Sequence, residues 1–430
     1  MALNIFTGST TANWGSTSSW TLNRIPTSTD LDTAYFGPIS PTCSVNVVGA
    51  PCYNFDCSTY IRQIQMAQNL SIYGTYSNFG NSASIRFSAS SGPGSTITYF
   101  NATCSITSNN YVFKREMFTT LGQQGIIFFS APGSGAIITL LDQFEATAVQ
   151  ISPNSGVPTL TLNGATFSVR ESFTVANNVT LKGSNIQIKA TASTTTTTFT
   201  TNITPMSNNI YINTPGSVTI ATLYILPLNN TTQTLKWISG TVNNGGSLVV
   251  VANSGTLNLD WSPTHTWATF QLNSVATTGL TSSIVTTQPI NATILTLAQS
   301  GAGGSYNNYI TGGFTCSIFN YTRSIASDSS ILWISPTYSH YINGTYNSYV
   351  TSTATNTFNR INSIVPGTRA PLIVSYNTNQ FLWNCYFTDI DASNGSTILP
   401  YLVTATLSNT LNILDLKKNT IINSNQFYTN

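Results

Sequence analysis

Apolar and polar residues alternate in short pieces along most of this 430-residue chain, and turn residues punctuate them. Leu70-Ser71-Ile72-Tyr73-Gly74 is one such piece, and Thr159-Leu160-Thr161-Leu162-Asn163-Gly164 is another. Phe173-Thr174-Val175, Val179-Thr180-Leu181-Lys182-Gly183 and Ile186-Gln187-Ile188-Lys189 follow in quick succession. Leu257-Asn258-Leu259-Asp260 has the same form, and Leu248-Val249-Val250-Val251 is a continuous apolar run. Period two places every second side chain on one face, which predicts strands with one buried side. The Thr194–Thr198 tract also reads as strand, because Phe199 follows and no Gly or Pro interrupts it.

Short strands at intervals of roughly seven to twelve residues suggest a β-solenoid or a sandwich. Gly164, Gly183, Gly216, Gly240 and Gly255 are unevenly spaced, so any repeat is degenerate. A solenoid lines one continuous core with apolar side chains and leaves Thr and Asn outside. Stacked Asn or Thr ladders then supply hydrogen bonds without charge. Asn163-Gly164, Asn343-Gly344 and Asn394-Gly395 are hairpin-type dipeptides and predict some antiparallel pairing, mostly toward the C-terminus. The expected class is all-β, a parallel β-helix-like solenoid body with a partly antiparallel β C-terminal portion.

Texture divides the chain into three parts. Residues 1–40 hold Trp14 and Trp20 around a Gly/Ser/Thr-rich stretch and read as an N-terminal cap or attachment segment. The two Trp are expected as packing anchors, with sugar stacking as the alternative. Residues 41–300 form the solenoid-like body. Gly301-Ala302-Gly303-Gly304-Ser305 reads as a hinge or turn before an aromatic-rich β portion, 301–430.

Composition narrows the function classes. Charged residues make up 6% of the chain, against about 25% in an ordinary domain. The net charge is +2 and the basic residues are scattered, so no nucleic-acid interface is expected. No apolar run approaches the roughly 20 residues that span a bilayer, and Met1–Gly8 lacks the features of a secretory signal. The six cysteines, at 43, 52, 57, 104, 316 and 385, lack metal-knuckle spacing. Buried free thiols are the first expectation and one or two disulfides the second. No metal and no cofactor are expected.

Candidate chemistry is sparse. Glycoside cleavage needs two carboxylates about 5 Å or 6.5–9.5 Å apart. Asp389 and Asp391 would share one face if they lie on a single strand, while Asp142 and Glu145 would lie on opposite faces. Glu171 and Asp260 are isolated. Turn chemistry is the simpler reading of Asp389 and Asp391, with calcium as a further one. The histidines are His265 and His340, and no Gly-x-Ser-x-Gly elbow or phosphate loop occurs. A binding reading groups Trp333, Tyr338, His340 and Tyr341 as a glycan-stacking platform, against the alternative of core and subunit packing.

Two stretches near the start and one near the end carry a resemblance. Asn13-Trp14-Gly15, Ser19-Trp20, Arg24-Ile25-Pro26-Thr27 and Asp30 resemble the opening of repetitive β-helix-like surface proteins of bacteria and their phages. So does the stretch from Cys43-Ser44-Val45-Asn46 through Asn54-Phe55-Asp56-Cys57 to Leu70–Gly74. Phe387-Thr388-Asp389-Ile390-Asp391-Ala392-Ser393-Asn394-Gly395 is similar to a segment of the same kind of viral protein. The resemblance implies a structural or fibre-like virion protein with a parallel β-helix body, and it imports no catalytic residue. The scarcity of charged residues favours a scaffold over an enzyme, so the expected function is a non-enzymatic structural protein of a virus particle, such as a fibre, spike or capsid decoration. The expected partners of such a protein are other virion proteins, two further copies in a homotrimer that buries flat β-helical faces, and, through the aromatic group above, host-surface glycans. The expected location is the virion surface. The rivals are a tailspike-type glycan hydrolase on the same scaffold, and a cellular surface adhesin.

Overall fold

The computed structural model describes residues 1–8, 11–74, 76–79, 84–87, 96–99, 103–108, 112–113, 126–129, 137–151, 159–162, 166–175, 180–183, 186–188, 196–201, 205–206, 209–223, 226–227, 232–242, 247–252, 255–261, 265–274, 280–299, 305–323, 329–350, 359–400 and 407–414. Within them the chain is almost entirely strand, with a single 3-10 turn at Thr17–Ser19. Every described ladder between strands is parallel, and the fold is a β-solenoid. Two compact units are present, Met1–Val218 and Thr219–Asn430.

The first unit begins with coils of three strands. Thr33–Tyr35, Thr42–Val45 and Ala50–Cys52 make one coil. Asn54–Cys57, Gln63–Met66 and Leu70–Ile72 make the next. Thr33 faces Asn54, Cys43 faces Ile64 and Ala50 faces Leu70, so each coil advances 20 or 21 residues. Inward positions are apolar: Ala34, Val45, Phe55, Ile64, Met66, Leu70 and Ile72 are buried. Cys43, Cys52 and Cys57 join them as small apolar side chains. Burying one large aliphatic side chain contributes roughly 1.5–3 kcal/mol, so stacked inward rows hold the coils together.

The first coils are plugged by aromatics. Phe6, Trp14, Trp20, Phe36, Phe55 and Tyr60 are buried in one cluster, with Trp14 and Trp20 edge to face at 4.9 Å. Trp20 Nε1 donates to the Trp14 carbonyl at 2.9 Å, so its polar end is paired. Neither ring is available for sugar stacking.

The second unit alternates its strands between two sheets. One contains Thr232–Val242, Gly255–Trp261, Thr281–Thr286, Ser305–Ile310, Ser329–Ile334, Asn359–Ser363 and Cys385–Thr388. The other contains Ser247–Ala252, Thr266–Ser274, Ile290–Gln299, Phe314–Arg323, His340–Val350 and Ala370–Val374, with Asn379–Leu382 also on His340–Val350. Thr281 faces Ser305 and Ser305 faces Ser329, a step of 24 residues each time. Thr345 faces Asn379, a step of 34. The connections vary in length and some strand pairs shift register at bulges, which is why the repeat is degenerate in sequence.

Parallel order runs through the described strands of residues 305–391, in place of the antiparallel pairing expected there. Asn343-Gly344 is not a hairpin turn. It lies inside strand His340–Val350 at a bulge, where Cys316 faces Ile342 but Ile318 faces Thr345. A Cβ on Gly344 would stand 2.9 Å from the Ser317 carbonyl oxygen, so the bulge needs glycine. Asn394-Gly395 forms a coil corner instead, close against the backbone of Val374. Asn163-Gly164, Gly301–Gly304 and Thr194 lie outside the described residues, although Thr196–Thr201 is a strand.

Candidate functional site

Glycoside cleavage would need a pair of carboxylates. Asp389 and Asp391 do not lie on one continuous strand. Asp389 is the bend between Cys385–Thr388 and Ile390–Asp391, at φ 55°, so alternation of faces does not carry across it. Its buried carboxylate accepts from the Gly367 backbone N–H at 2.8 Å and from Asn409 Nδ2. Asp391 Oδ1 accepts from the Ser393 N–H at 2.8 Å, closing an Asx-type turn.

The other described acidic side chains are similarly committed. Asp32 pairs with Arg24 at 2.7 Å and Asp30 with the same guanidinium at 3.6 Å. Asp56 accepts from the Ser58 N–H at 2.9 Å. Asp142 accepts from the N–H and Oγ of Ser108, and Glu145 pairs with Arg170. Asp260 contacts Lys236 and the Gln288 amide. Each of these carboxylates thus holds a corner or clamps neighbouring segments. Glu171 lies on a strand, with its side chain outside the described residues.

Trp333, Tyr338, His340 and Tyr341 are close in sequence but are not brought together on one surface. His340 is 0% exposed, its ring 4.9 Å from that of Phe314. Its Nε2 donates to the Ser335 carbonyl at 3.0 Å, and its buried Nδ1 has no partner among the described residues. Burial holds its pKa down at about 4. Tyr341, one residue on, points the other way and is exposed, and Tyr338 is exposed in the preceding turn. Trp333 belongs to the other sheet. There it stacks on Tyr309 at 6.1 Å and 7°, and its Nε1 donates to Asn307 Oδ1 at 3.2 Å. His265 is also buried, packed between Trp237 and Trp267.

A different surface group emerges from the register of the second sheet. Facing positions run Val249, Gln271, Thr296, Asn320, Asn347 and Phe381 in one outward row. Asn347 Nδ2 donates to Asn320 Oδ1 at 2.9 Å, and Asn320 Nδ2 to Thr296 Oγ1 at 3.4 Å. At the end of this amide ladder stand exposed aromatics. Phe381 is 65% exposed, Trp383 50% and Tyr349 46%. The Trp383 backbone N–H donates to the Ser348 carbonyl at 2.8 Å, which places Trp383 alongside Tyr349. Leu382 between the two rings points into the core, so the strand pleat itself turns Phe381 and Trp383 outward. The alternation Phe381-Leu382-Trp383 is the local sequence signal for this group, and a 34-residue coil separates it from Thr345 and its neighbours.

Among the described residues no group of three or more His, Cys, Asp and Glu could hold a metal ion. No helix among them is long and apolar enough to cross a membrane. No protein-family model, curated protein or solved structure matches the chain.

Proposed function

We propose that this chain is a non-enzymatic structural protein on the surface of a virus particle, a fibre, spike or capsid-decorating component. One observation carries the scaffold reading: the carboxylates with described side chains are all engaged in corners, turns and ion pairs. A general acid and its partner need freedom to exchange protons with a bound substrate, and these groups are committed to architecture. The solenoid supports the same reading, because stacked coils build a rigid scaffold from little charge. In this reading three copies assemble around a symmetry axis and attach to other virion proteins.

Quantitative mass spectrometry of density-purified particles tests the proposal. The expected result is co-purification at a fixed ratio to the major capsid protein, in a multiple of three copies. Recovery only from cell envelopes would favour the adhesin. Depolymerisation of a polysaccharide by the purified chain, abolished in Asp389→Asn, would favour the hydrolase.

A further inference from the structure

We propose that the outward face formed by Asn320, Asn347, Tyr349, Phe381 and Trp383 binds a neutral glycan chain. Three observations converge on it. The first is exposure: a phenyl ring left in water forgoes burial worth roughly 1.5–3 kcal/mol, and Phe381 stands beside two further exposed rings. Flat aromatic faces are what the apolar C–H faces of sugars stack on.

The second is an unfinished ladder. Thr296, Asn320 and Asn347 are linked from coil to coil, and the chain of bonds stops at Asn347. The next position is Phe381, which has no polar group, so Asn347 Oδ1 has no hydrogen-bond donor among the described residues. A sugar hydroxyl supplies the donor that the fold omits. Adjacent row positions lie ~4.8 Å apart, an even spacing that suits a polymer of repeated units.

The third is charge. The row Val249, Gln271, Thr296, Asn320, Asn347, Phe381 contains no ionic side chain, and neither do Thr322 and Tyr349 beside it. An anionic ligand would lose hydration there without a counter-charge, whereas an uncharged polyol would not. This assignment deepens the surface-protein reading and rests on it for its biological role. Binding by the isolated chain is nevertheless measured independently of whether the chain is found in particles.

The test uses the full chain and tryptophan fluorescence titration, backed by calorimetry. Its probes are oligosaccharides of glucose, mannose and N-acetylglucosamine, with hyaluronan fragments as the anionic comparison. The expected result is saturable, salt-insensitive binding of at least one neutral oligosaccharide. Phe381→Ala, Trp383→Ala and Asn347→Leu should each weaken it by about tenfold. Calorimetry reads the Trp383 variant, whose fluorescence reporter is gone. Tyr376→Ser, an exposed change in the turn after Ala370–Val374, should bind as the unaltered chain does. Circular dichroism and the thermal midpoint confirm that each variant folds. Absence of binding to every neutral probe would overturn the proposal, as would salt-sensitive preference for hyaluronan or unchanged binding in the three variants. Dissociation of an oligomer by Phe381→Ser with no saccharide bound by the unaltered chain would overturn it in favour of a contact between copies.

Discussion

Asn347 donates through Nδ2 to Oδ1 of Asn320 at 2.9 Å, joining positions 27 residues apart on adjacent coils. Asn320 passes the pattern on to Thr296. Side-chain amides therefore perform on this surface the bridging that ion pairs perform on a charged one. Asn320→Ala removes both bonds and should cost about 1–2 kcal/mol. Thermal unfolding should show the midpoint lowered by a few degrees. Asn320→Asp, which can still accept from Asn347, should lose less. An unchanged midpoint in the alanine variant would mean that the ladder contributes nothing.

Asp389 is predicted to matter for folding stability. Replacing it with Ala leaves the Gly367 N–H and the Asn409 amide without their acceptor. Hydrogen bonds to a charged group contribute about 1.5–3 kcal/mol, and losing an acceptor exposes the full desolvation cost. Asp389→Ala should therefore destabilise by about 2–3 kcal/mol, and Asp389→Asn by less, since an amide oxygen can still serve Gly367. Denaturant midpoints at constant slope measure both.

His340 should make the second unit sensitive to acid. Its folded pKa, about 4, lies below its ordinary value of 6.5. Below pH 6.5 the unfolded chain binds the proton first, so stability falls as pH drops from 6.5 toward 4 and then levels. The loss is on the order of 3 kcal/mol, at about 1.36 kcal/mol per pH unit. Denaturation at mildly alkaline, mildly acidic and more strongly acidic pH should show this slope in the unaltered chain. His340→Gln, which does not titrate, should show a shallower one.

Cys43, Cys52, Cys316 and Cys385 are buried free thiols, and burial raises the pKa of each, that of Cys385 to about 12. The side chain of Cys104 lies outside the described residues. The thiolate is the reactive form. Native protein should leave these four thiols unlabelled by a thiol-specific alkylating reagent at neutral pH, and denatured protein should label them. Rapid native labelling of Cys43 or Cys385, read by peptide mapping, would contradict the packing.

The fold class was legible because the strand pleat writes its period directly into the residues, as in Leu257–Asp260. Coil length was not, because 24 residues separate Thr281 from Ser305 but 34 separate Thr345 from Asn379. The hairpin expectation failed for a specific reason. A hairpin uses glycine for its left-handed φ, whereas Gly344 and Gly395 have no such φ and serve by lacking a Cβ where the backbones of Ser317 and Val374 come close. Site residues were hardest to find. Proximity in sequence groups His340 with Tyr341, yet neighbours on a strand face opposite ways, and His340 goes into the core. Phe381 and Asn347 meet only through register, which one-dimensional spacing does not encode. Alternation would put Asp389 and Asp391 on one face, but the left-handed φ at Asp389 breaks the strand between them.

The most direct measurement is electron microscopy of intact purified particles labelled with an antibody raised against the exposed turn at Tyr376. The surface-scaffold reading predicts label at regular, symmetry-related positions outside the particle. Label confined to cell envelopes, or particles that carry none, would contradict it.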